Sequence, residues 1–320
     1  MKVVLSRDEY FECLGFAMYS YLSGKIVKRD LIKGSARSLG EYLEHLIRGK
    51  LAEVAFKKAL NENFGLEVLV ETDLPVFLEG KYLPDVVSFK REDTWHVPEF
   101  WIDVKATVEG QAWMLIPANK KKNGYHVLPR PYDAYVDVDV KLPADHLGRL
   151  IKYAPVLKDR VHKSWLKKLE DIERIEAEVR GFILYKDLRD IQNAKDEEDE
   201  GAQRRLSEQF GEHRWNIFEE GEKLYDPSTG ATMGKGLGRC NFGVFLENLR
   251  KEWDDLRDLL EKNVATVPER FLEIRKRSQF RTQAKRAIQK LLRNGRMDWF
   301  ERAVPITEAT QTQDLSKYFI

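Results

Sequence analysis

Two carboxylates and a lysine stand at spacings that suit metal-assisted hydrolysis of a phosphodiester. Pro84-Asp85 lies 18 positions ahead of Asp103, and Asp103-Val104-Lys105 sits inside the short apolar run FWIDVKAT. In-line attack on a phosphodiester builds negative charge on the non-bridging oxygens and on the leaving 3′ oxygen, and hard divalent cations stabilise both. Magnesium favours carboxylate oxygens and keeps several waters, so Asp85 and Asp103 on neighbouring strands suit one such ion with a bound water as nucleophile. Lys105 is placed to orient or deprotonate that water, or to balance charge as the reaction proceeds.

These groups need strands to hold them. Residues 66–77 and 82–89 are rich in Val, Leu and Phe and are joined by Leu78-Glu79-Gly80-Lys81, which predicts an antiparallel hairpin. A polar turn over 91–98 leads to a third strand, 100–107. There Ile102, Val104 and Ala106 point to the core while Trp101, Asp103, Lys105 and Thr107 share the other face. Residues 132–143 (YDAYVDVDVKLP) alternate strictly, with Ala134, Val136, Val138 and Val140 on one side and Asp133, Tyr135, Asp137 and Asp139 on a face expected to be solvated.

Helices come before and after. Ser6 with Glu9 and Ser38 with Glu41 are capping boxes, predicting helices over 7–22 and from 39 to Gly65. Glu53 falls in the middle of the second, close to its apolar stripe. It is either a flank residue paired with Lys50 or Lys57, or a third carboxylate of the site. Val161, Trp165, Leu169, Ile172, Ile175 and Val179 predict an amphipathic helix over 159–180, and residues 181–188 read as a buried strand. The acidic run at 196–200 is a linker or exposed turn. It divides a catalytic domain, 1–190, from a mainly helical, locally basic region, 191–320, suited to DNA binding or dimerisation.

Composition narrows the classes. Lys plus Arg (54) nearly cancel Asp plus Glu (53), so any basic surface is local. Residues 268–302 carry 11 Lys or Arg against 4 Asp or Glu. Arg277, Arg281 and Lys285 there, and Lys120, Lys121 and Lys122 in the less readable stretch 108–131, are the candidate phosphate-backbone contacts. Cys13 and Cys240 are too far apart to suggest a disulfide framework or a metal ligand set, and no apolar run approaches the ~18 residues of a membrane span. A cytoplasmic protein is expected. Residues 230–236 (GATMGKG) lack the spacing of a phosphate-binding loop, so no nucleotide cofactor is expected, and no Gly-x-Ser-x-Gly elbow is present.

Pro84-Asp85, Asp103-Val104-Lys105 and Glu53 in its RGKLAEVAF helix together resemble the PD-(D/E)xK nuclease superfamily, the restriction-endonuclease-like fold. In that family a helix carrying a Glu precedes a hairpin with the PD pair and then the (D/E)xK strand. The resemblance covers roughly residues 38–145, about a third of the chain. It implies an α/β fold with a mixed central sheet flanked by helices in an αβββαβ-type core. It also implies Glu53, Asp85, Asp103 and Lys105 as catalytic residues, with the three carboxylates as metal ligands. Mg²⁺ is the implied cofactor, with Mn²⁺ as a substitute, and products carry 5′ phosphates. The stretch 108–131 departs from the family, which often places a helix there. The leading expectation is a duplex-DNA endonuclease of type II restriction or defence kind, acting as a homodimer because cutting both strands commonly uses two sites. A structure-specific nuclease for junctions, flaps or single strands, and an inactive binding or assembly protein on the same fold, are the alternatives.

Overall fold

The computed structural model describes residues 1–22, 38–73, 83–107, 110–121, 124–127, 132–150, 172–196 and 198–261, together with 282, 286, 288 and 289. Its organising element is the long helix α2 (Leu39–Phe64), which runs ~39 Å at the usual rise per residue. The Ser38 hydroxyl accepts from the Glu41 N–H at 3.3 Å while the Glu41 carboxylate accepts from the Ser38 N–H at 3.1 Å. Gly65, at φ 66°, turns the chain out through the left-handed region and returns its N–H to the last turn. Helix α1 (Arg7–Leu22) has the same reciprocal cap at Ser6 and Glu9 and packs along α2. The other side of α2 lies on the main sheet, so residues 50–56 are buried all round.

That sheet has the order β1-β9-β8-β5, formed by β1 (Lys2–Ser6), β5 (Ile102–Thr107), β8 (Ala134–Val140) and β9 (Arg174–Leu184). β5 and β8 are parallel and the other two pairings are antiparallel, so the sheet is mixed. Ile102, Val104, Ala134, Val136 and Val138 form one core with α2. Beside this sheet, β2 (Val68–Val70), β3 (Val86–Arg91) and β4 (Thr94–His96) make a small antiparallel one. The polar turn expected at 91–98 is thus a β3–β4 hairpin, with Glu92 and Asp93 at positive φ.

A second sheet, β10-β13-β6-β7, is built from β6 (Trp113–Lys121), β7 (Gly124–Val127), β10 (Trp215–Phe218) and β13 (Asn241–Phe245). A short hairpin, β11 (Leu224–Tyr225) with β12 (Thr232–Met233), holds the glycine-rich stretch. Helices α4 (Tyr185–Asp196) and α5 (Glu200–Phe210) pack with this sheet over Tyr135 and Ile183. The connection from β5 to β8 contains the β6–β7 hairpin. α3 (His146–Arg149) and α6 (Trp253–Glu261) complete the described helices, and none is long and apolar enough to cross a membrane.

Four expectations change. β8 is buried on both faces, with Asp133 and Asp137 fully enclosed, because the second sheet and α4 cover the side that alternation marks as solvated. Asp133 accepts from the Trp101 N–H at 2.7 Å, and Asp137 accepts from Arg180 at 2.6 Å. Residues 174–180 are strand, not helix. Ile175, Ala177 and Val179 alternate as well as fitting a helical stripe, and pairing to β1 and β8 settles the choice; residues 159–171 lie outside the described set. The strand read at 181–188 ends at Leu184, where α4 begins. Residues 215–245 are strands and turns rather than the helices expected after 190; in the acidic run, Asp196 ends α4 and Asp199 caps α5, which begins at Glu200.

Gly181 sits at closest approach between β9 and the segment after β13. A Cβ there would lie 2.4 Å from Leu249 Cβ and 2.8 Å from the Arg250 carbonyl oxygen. Gly181→Ala is expected to lower unfolding free energy by about 3 kcal/mol, since backbone must move to admit the methyl group. Urea denaturation measures the loss, and a change under about 1 kcal/mol would show that the strand yields freely.

A buried relay joins α1, α2 and α3. The Tyr10 hydroxyl hydrogen-bonds His146 Nδ1 at 2.8 Å, and His146 Nε2 meets Glu44, which also pairs with Arg48 at 2.7 Å. Burial lowers the His146 pKa despite the opposing pull of Glu44. The unfolded chain therefore binds the proton more readily, and the stabilisation present above the unfolded value fades as pH falls. Wild type is expected to lose stability on acidification from about pH 6.5 that His146→Gln does not lose, as read by thermal melts across pH.

Candidate active site at the edge of β5

β5 is an edge strand of the main sheet, and Asp85 docks along its open side. The Asp85 N–H donates to the Ile102 carbonyl at 3.0 Å, and the Asp85 carboxylate accepts from the Val104 N–H at 2.5 Å. Asp85 thus continues the ladder that β5 would offer another strand, which fixes its carboxylate beside Asp103. Within β5, alternation puts Asp103 and Lys105 on one face, where they form an ion pair. Lys105 keeps 35% of its side-chain surface, so the site is open to solvent on this side.

Helix α2 supplies Glu53, 5% exposed. Its Oε1 accepts from Lys50 Nζ at 2.6 Å, while Oε2 is buried with no hydrogen-bond partner among the described residues. Lys50 also pairs with Glu71, in the 3-10 turn Glu71–Asp73 after β2. Glu53 is therefore paired with Lys50 as the flank reading has it, but inside the protein rather than on a solvated face. Lys57 instead pairs with Asp73 at 2.7 Å.

The charges act on one another. Burial and the nearby charge of Asp103 push the Asp85 carboxyl up to about 7, against Lys50, the Val104 N–H and Lys105. Burial raises Glu53 well above the ordinary carboxylate range; Lys50 opposes this, and Asp85 and Glu71 add to it. Burial alone would lower Lys105, but Asp103, Asp85 and Glu53 raise it overall, so Lys105 is a firmly held ammonium. With every group ionised, four carboxylates (Glu53, Glu71, Asp85, Asp103) would face two ammonium groups (Lys50, Lys105), an excess of two negative charges. Tyr132 and Tyr135 stand close enough for Asp103 to raise both phenols further after burial has done so.

The four residues singled out in the sequence, Glu53, Asp85, Asp103 and Lys105, are therefore brought into one electrostatic neighbourhood. Lys120, on β6, pairs with Glu219 at 2.9 Å. Lys121 ends β6 opposite Gly124, and Lys122, Arg277, Arg281 and Lys285 lie outside the described residues. Glu71, Tyr132 and Tyr135 were not singled out by pattern. Only the spacing of Lys50, one turn before Glu53, marked it in advance.

The donor set suits a hard cation: the groups are carboxylate oxygens, and one is buried without a hydrogen-bond partner among the described residues. Among the described residues no three His, Cys, Asp or Glu side chains converge as a ready ligand group. A cation here would rest on Asp85 and Asp103 and keep waters, as magnesium commonly does. Comparison with known proteins finds no matching family model, no matching curated protein and no matching solved structure.

Proposed function

We propose that this chain is a Mg²⁺-dependent DNA endonuclease with a PD-(D/E)xK-type core. The observation that carries the reading is the docking of Asp85 on the open edge of β5, beside the Asp103–Lys105 pair and in the field of the buried Glu53. The order α2, β3, β5, β8, with β8 parallel to β5, supports the αβββαβ-type reading. The β6–β7 hairpin takes the place of the helix that the family often carries between the last two strands.

Asp85 and Asp103 are the residues to hold magnesium, which when bound supplies charge stabilisation and an acidified water. Lys105, held as an ammonium on the solvent-open side, offsets charge on the non-bridging oxygens rather than taking a proton. Glu53, paired with Lys50, borders the cluster inside the protein. Support for DNA as the substrate comes from the basic segment 268–302. Ile288, inside it, is buried against Leu69 and Val87 of β2 and β3, and Arg286 two residues earlier is exposed. Position 288 thus lies on the sheet that leads out of Asp85. We propose a homodimer acting on duplex DNA, of restriction or defence type.

The test is incubation with supercoiled plasmid under Mg²⁺ or EDTA, followed by end-mapping. Linear fragments bearing 5′ phosphates, formed with Mg²⁺ and abolished by EDTA, are expected. Fixed fragment lengths would indicate sequence recognition, and cleavage restricted to branched substrates would redirect the reading to a structure-specific enzyme. Salt-sensitive binding without cleavage under Mg²⁺ and Mn²⁺ would overturn it.

A further inference from the structure

Lys50 is hard to account for as an ordinary ion-pair partner. It is 5% exposed, it touches both Glu53 and Glu71, and its ammonium lies 5.2 Å from the centre of the Phe16 ring. Glu53 and Glu71 come from different elements, α2 and the turn after β2, and no other cation is recorded on either carboxylate among the described residues. Desolvating an ammonium this fully is costly unless strong partners offset it. Leaving two carboxylates near Asp85 without it would cost more. Two-ion nucleases place a second divalent cation near such a carboxylate pair, with ions about 3.5–4 Å apart.

We propose that Lys50 is a built-in cation occupying the Glu53–Glu71 side of the cluster, so that the chain takes one exchangeable divalent ion, at Asp85 and Asp103, rather than two. This rests on the magnesium reading above. An ammonium suits the post because it is a compact point charge on a flexible stem that can reach two carboxylates at once. The helix makes it permanent: position 50 is three residues before Glu53, on the same side of α2.

The experiment counts Mn²⁺ bound per chain by electron paramagnetic resonance of the free ion, on the full chain without DNA. Wild type is expected to bind one Mn²⁺, Lys50→Gln two, and Lys50→Arg one. Glu71→Gln, at a half-exposed position, is expected to bind one Mn²⁺ with unchanged affinity. No Mn²⁺ on wild type would overturn the magnesium reading itself. Two on wild type would leave that reading standing and overturn the role of Lys50, as would one on a folded Lys50→Gln. Should Lys50→Gln fail to fold by circular dichroism, Glu71→Gln decides: loss of Mn²⁺ there would place the ion on Glu71 and overturn the proposal.

Discussion

Asp103→Asn is expected to lower Mg²⁺-dependent cleavage of duplex DNA by a thousand-fold or more, about 4 kcal/mol of transition-state stabilisation, while leaving the fold at least as stable as wild type. The two halves of this expectation have one cause. Asp103 is the like charge that, after burial, does most to push Asp85 up to about 7. Removing it relieves repulsion between buried carboxylates and deletes a metal ligand in the same step. Lys105 retains Asp85 and Glu53 as counter-charges. Cleavage assays paired with thermal melts separate this from a structural role: a large fall in melting temperature would mean that Asp103 holds the fold together. Lys105→Ala should also abolish cleavage, and activity retained in both variants would remove the basis for a nuclease assignment.

The largest expected effect on stability lies elsewhere. Asp187→Ala should cost about 3–5 kcal/mol, because it strips a mostly buried guanidinium of its counter-charge. Asp187 accepts from Arg250 through both oxygens, at 2.8 Å from Nε and 2.7 Å from the terminal nitrogen, and also accepts from the Leu184 N–H at 2.8 Å. Arg250 in turn donates to Gln209 at 2.7 Å and stacks 5.6 Å from the Phe210 ring centre. Its backbone exchanges two hydrogen bonds with Phe182. The pair thus fastens β9 and the start of α4 to α5 and to the chain after β13. Urea denaturation gives the magnitude. Asp187→Ala with Arg250→Met should be less destabilised than Asp187→Ala alone, since the orphaned charge is then gone. A single-variant loss below about 1 kcal/mol would contradict the argument.

Much of the site was readable because its parts obey local rules. The capping boxes at Ser6 and Ser38 start helices where hydroxyl and carboxylate spacing requires, and strand alternation in β5 places Asp103 with Lys105. Other features depend on residues distant in the chain. Glu71 reaches Lys50 only through the turn after β2, and nothing in its immediate neighbours announces that. Asp133 and Asp137 look solvated because alternation reports that two faces differ, not that the polar one faces water; the covering layer comes partly from beyond residue 180. Ile175 and Val179 satisfy two periodicities at once, and only β1 and β8 decide between them.

β6 runs between β7 and β13, and β13 arrives from past residue 240. A chain cut after residue 190, which would keep Glu53, Asp85, Asp103 and Lys105, would strip β6 of that neighbour along Trp113 to Pro117 and uncover Met114 and Ile116. Such a fragment offers a raw apolar edge to its own copies, and aggregation rather than a minimal nuclease is its expected fate.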